Sequence, residues 1–76
     1  MKKEDKLSEV ILNLFRKLNE PLETKEIENK LEEMRFKGIT RTKVFYRLNI
    51  LRGDGKIKGK SIGSGKGVWI WWRADE

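Results

Sequence analysis

Apolar residues fall at Leu7, Val10, Ile11, Leu14, Phe15 and Leu18. Steps of three and four residues put them on one face of a helix. The spacing predicts a first helix over about residues 5–18. Asn19-Glu20-Pro21 should end it, because proline cannot continue the backbone hydrogen-bond ladder. Leu22 follows as an isolated apolar position and is read as a short extended segment. Thr24 is a good N-cap for a second helix, with Ile27, Leu31 and Met34 at helical spacing. Gly38 stands where a left-handed residue would close that helix. Thr40 can cap a third helix at once, and Ile39 and Val44 have the spacing of a hydrophobic staple. Helices two and three are therefore expected to meet in a tight turn around Phe36–Thr40.

The third helix carries Val44, Leu48 and Leu51 as its inward residues and ends at Gly53-Asp54-Gly55. Beyond it the period changes from helix to strand. Residues 56–62 and 67–73 alternate around Gly63-Ser64-Gly65-Lys66, which predicts a β-hairpin. In the second of these strands Trp69 and Trp71 share one face, and Val68, Ile70 and Trp72 share the other. One face must close the core, and the pattern leaves open which. The expected fold class is α+β, a single domain over residues 1–76 with its core at about 5–73.

Composition narrows the chemistry. The 76 residues contain no cysteine and no histidine. Disulfides, thiolate metal sites and the usual general base are thereby excluded. The carboxylates lie on the charged faces of helices one and two, where pairs such as Glu26 and Lys30 account for them. No catalytic residue, no metal site and no cofactor is expected. No apolar run reaches membrane-spanning length, and the charged start is unlike a secretory signal. The net charge is +6. Residues 1–38 hold nine basic and nine acidic side chains, whereas residues 39–76 hold nine basic and three acidic. The whole surplus sits on the third helix and the hairpin, which points to a polyanionic partner.

Three short helices followed by a glycine-tipped hairpin resemble a winged helix-turn-helix domain. The run Val44, Leu48, Leu51, Gly55 and Ile57 is similar to the passage from recognition helix to wing in winged-helix transcription regulators. In size and charge the chain also resembles the small winged-helix transcription factors of hyperthermophilic archaeal viruses and plasmids. The resemblance implies a regulator that binds double-stranded DNA, with residues 41–52 in the major groove and residues 56–72 on the backbone. On the helix it implies Arg41, Thr42, Phe45, Tyr46, Asn49 and Arg52 as contacts. Arginine can fork onto guanine and asparagine can pair with adenine, while Thr42 or Phe45 can touch a thymine methyl. Lys43 and Arg47 lie nearer the other flank. On the wing it implies Lys56, Lys58, Lys60, Ser64, Lys66, Trp69 and Arg73, the cations forming one basic ladder.

The resemblance further implies a cytoplasmic, nucleoid-associated protein, monomeric in solution and open to pairing on DNA. Two other functions fit the same residues. One is a winged helix used for protein contact through its tryptophan face. The other is a sequence-independent nucleic-acid binder. GDGKIKGKS ends like a phosphate-binding loop but has the wrong glycine spacing and no helix after Ser61, so nucleotide hydrolysis is not expected.

Overall fold

The computed structural model describes residues 6–63 and 68–74. In chain order the elements are helix α1 (Lys6–Leu18), strand β1 (Leu22–Glu23), helix α2 (Thr24–Glu33), helix α3 (Arg41–Gly53) and strands β2 (Ile57–Ile62) and β3 (Val68–Arg73). The strands form one antiparallel sheet in the order β1-β3-β2. This arrangement is a winged helix-turn-helix.

The predicted stripe of α1 is the buried one. Leu7, Ile11, Leu14 and Phe15 enter the core, and Val10 and Leu18 pack partly against it. Ile27 and Leu31 come from α2, and Val44, Leu48 and Leu51 from α3. Leu22, Ile57 and Trp71 close the core from the sheet. Trp71 settles the question that strand parity left open: the face with Trp69 and Trp71 is the inner one. Burying about 200 Å2 of indole, at about 25 cal/mol per Å2, contributes on the order of 5 kcal/mol. For a domain this small that is a large single term.

One glycine makes room for that indole and a threonine holds it. Trp71 sits opposite Leu22 on one side and Gly59 on the other. A side chain at Gly59 would collide with the ring. The indole Nε1–H donates to Thr24 Oγ1 at 2.9 Å, inside the core. Thr24 is therefore not the cap of α2. Glu23 holds that position in extended backbone, and its N–H donates to Glu26 Oε1 at 2.8 Å. Thr24 turns inward instead, because an indole N–H buried without an acceptor would be costly. Gly55, with φ +79°, ends α3 in the left-handed conformation that a residue with a Cβ resists.

The end of α2 departs from expectation. Met34 is 52% exposed and lies past the helix, so it is not a core residue. Arg35, at φ +62°, takes the left-handed position expected of Gly38. Its N–H donates to the Glu32 carbonyl at 2.9 Å, and the Phe36 N–H donates to the Leu31 carbonyl at 3.1 Å. Those two bonds are the paired closure of a Schellman motif. Gly38 is also left-handed, at φ +72°, but inside the connection to α3. That connection is longer than the tight turn around Phe36–Thr40 that the glycine suggested, because α2 stops at Glu33.

Candidate nucleic-acid interface

The third helix starts where the sequence places it. Thr40 is in extended backbone, and its Oγ1 accepts the Lys43 N–H at 3.1 Å. With Val44, Leu48 and Leu51 turned inward, Arg41, Thr42, Tyr46 and Arg52 are exposed and Phe45 and Asn49 are half-buried.

Arg41, Thr42 and Phe45 line one side of an open groove of about 590 Å3. Val68 and Trp69 of β3 line the facing side, and Glu23, Thr24 and Lys25 close the end. The groove exists because β1 pairs with β3, which carries the start of α2 up to the hairpin. Sequence reasoning missed Glu23 and Lys25 here, and no local signal marks them.

Phe45 is half-buried between roles. Its ring lies edge-on to Trp69 at 6.0 Å and to Trp71 at 5.8 Å. Trp69 stacks on Trp71, with centroids 5.1 Å apart and planes 21° from parallel. Arg52 lies over the Trp69 ring, its Cζ 5.2 Å from the centroid. Asn49 is engaged at both ends of its amide. Its Nδ2 donates to the Phe45 carbonyl at 3.0 Å, and its Oδ1 accepts from Arg52 at 3.2 Å. Tyr46 belongs to the other flank of α3. There it borders a shallow cleft with Lys43 and Arg47, and the Arg47 guanidinium lies 5.6 Å from the Tyr46 ring centroid. The two cations given least weight in the sequence therefore accompany a residue given more.

Among the described residues, the basic side chains of the hairpin do not form one row. Lys58 and Lys60 alternate on the outer face of the sheet, opposite Trp72 and Ile70. On the same face Ile62 pairs with Val68, and both are more than 40% exposed. Arg73 lies on the inner face at the base of the hairpin, where it donates to Asn19 Oδ1 at 3.3 Å. Lys56 stands near it, beside Leu12, Phe15 and Arg16 of α1. Strand alternation puts Arg73 on the face opposite Lys58 and Lys60, and Lys56 stands before β2 begins, so the single ladder expected from the sequence is divided. Ser64 and Lys66 lie outside the described residues. Among the described residues there is no helix long and apolar enough to cross a membrane.

No protein-family profile matches the chain. No curated protein matches it either. Among solved structures it is similar to a chain of HOP2, at 25% sequence identity and a TM-score of 0.72. The similarity covers 88% of this chain and 97% of the other. That structure is described by the DNA recognition and protein interaction domains of HOP2 and by its homologous DNA pairing properties.

Proposed function

We propose that the chain binds double-stranded DNA and acts as a transcription regulator, with α3 in the major groove and the hairpin on the sugar–phosphate backbone. One observation carries the reading. Arg41 and Thr42 stand exposed at the start of α3, across an open groove from the first residues of β3. A helix and a hairpin presented side by side in this way match a major groove about 12 Å wide and the strand that borders it. The surplus positive charge lies on the same two elements. Arg41 supplies a fork for guanine O6 and N7, Thr42 a methyl for thymine, and Tyr46 a hydroxyl for phosphate. The DNA recognition named for the similar HOP2 structure supports the same partner. On this reading the protein works in the cytoplasm on the nucleoid, as a monomer that can pair on DNA.

A second reading, sequence-independent attachment to duplex, has support of its own. Both ends of the Asn49 amide are engaged within the protein, which leaves fewer side chains on α3 to read a base edge. The DNA pairing named for HOP2 is consistent with such attachment.

Selection of bound fragments from random duplex, followed by titration at physiological salt, separates these readings. A regulator should prefer its selected duplex by about 10³ or more over random duplex. Arg41→Ala should then relax that preference at one base pair, at a cost of about 1–3 kcal/mol. Salt-dependent binding without preference would favour the second reading. Failure to bind duplex at any salt would overturn both and turn attention to protein contact.

A further inference from the structure

The Arg52 guanidinium is held in place by groups that lead back to the core. It lies over Trp69, 5.2 Å from the ring centroid, and donates to Asn49 Oδ1 at 3.2 Å. Asn49 is itself fixed by its bond to the Phe45 carbonyl, one turn back along α3. Trp69 is backed by Trp71, which is fully buried and bonded to Thr24. An exposed arginine normally loses side-chain freedom when it grips a ligand. Here much of that ordering is already present. The aromatic ring and the amide oxygen orient the guanidinium without neutralising its charge. A planar guanidinium with donors left over suits a phosphate, which it can contact through two parallel N–H groups.

We infer that Arg52, stacked on Trp69 and bonded to Asn49, is a preset anchor for a backbone phosphate. Asn49 and Trp69 are then positioning residues and not base readers. Asn49 accepts from Arg52 at Oδ1 and donates through Nδ2 to the Phe45 carbonyl, so both groups that would pair with adenine are already engaged. The ring of Trp69 already carries Trp71 and Arg52. The inference rests on the duplex-binding reading and refines it, because a phosphate contact holds the helix in register whatever the sequence beneath it.

Two measurements test the anchor separately from that reading. The first uses the protein without DNA. Nitrogen relaxation at the Arg52 Nε–H should give an order parameter near the rigid-backbone value of about 0.85, and Asn49→Ala should lower it below about 0.6. Trp69→Phe, which keeps an aromatic face, should preserve it better than Trp69→Leu. A freely moving Arg52 in the wild-type protein would overturn the preset anchor and leave duplex binding untouched. The second measurement follows binding of a labelled duplex as salt is raised. Arg52→Ala should reduce the slope of log K against log salt by about 0.9. Arg52→Lys should recover the slope but not the affinity, since the charge returns without the planar fork. Asn49→Ala should weaken all duplexes alike and leave their ranking unchanged. Loss of preference at a single adenine in Asn49→Ala would restore Asn49 as a base reader and sink the positioning role. An unchanged slope in Arg52→Ala, in a protein that binds duplex, would sink the anchor alone. A wild-type protein that binds no duplex would sink both.

Discussion

A β-carbon placed on Gly59 would lie 2.5 Å from Cε3 and 2.8 Å from Cζ3 of Trp71. Both ring atoms belong to the six-membered half of the indole. The ring cannot slide away, because Leu22 flanks it from β1 and its N–H is bonded to Thr24. Gly59→Ala should therefore cost about 1–3 kcal/mol through overpacking. In a domain of this size each kcal/mol lowers Tm by about 4–8 °C. Thermal melts of Gly59→Ala should show that loss, and the extra cost should shrink in a Trp71→Phe background. A neutral Gly59→Ala would mean that the indole is not locked. Neither role was legible along the chain. A glycine inside a strand pattern is visible, but its reason is the register that sets it opposite Trp71. Thr24 looked like a cap because caps and buried acceptors draw on the same side chains. Only the partner 47 residues away distinguishes the two uses.

Each helix ends on a left-handed residue, and the three differ in how well the residue suits that conformation. Asn19 closes α1 at φ +52°, Arg35 follows α2 at φ +62° and Gly55 follows α3 at φ +79°. Asparagine and glycine visit this region readily, and arginine does not. The ends of α1 and α3 could therefore be read from the sequence, whereas the end of α2 was drawn toward Gly38. Replacing Arg35 by glycine should relieve about 1–2 kcal/mol of backbone strain. Glycine returns part of that through its larger entropy loss on folding, about 0.5–1 kcal/mol. A net gain of roughly 0.5–1 kcal/mol is expected, read as a higher urea midpoint at unchanged slope. A lower midpoint would show that the arginine side chain matters more than its backbone. The same contrast between local and remote signals runs through the candidate interface. The outward face of α3 followed from periodicity, since Val44, Leu48 and Leu51 fix which way it points. Trp69 on the facing wall was also legible, but the end of the groove was not, because Lys25 and Glu23 arrive there through pairing of a two-residue strand with β3.

At the scale of the whole molecule, the hairpin has a near end and a far end with respect to the start of α3. Val68 and Trp69, at the start of β3, share a groove with Arg41 and Thr42. Lys56 and Arg73, at the other end, share a cleft with α1. Lys60 lies four steps along the chain from Lys56, about 13 Å at a rise of about 3.3 Å per residue. That exceeds the Debye length of about 10 Å at 0.1 M salt. A duplex centred on the groove between the start of α3 and the start of β3 should therefore feel Lys60 more than Lys56. Lys60→Gln should reduce the salt slope of duplex binding by about 0.9, and Lys56→Gln should change it by less than about 0.3. Both lysines are exposed, so either change should alter stability by no more than about 0.5 kcal/mol. Melting curves of the two variants would verify that the comparison is one of binding. Equal slope changes would mean that the duplex runs along the full length of the hairpin. The exposed start of α3 would then no longer be the centre of contact, and the cations of the second half would act as one row after all.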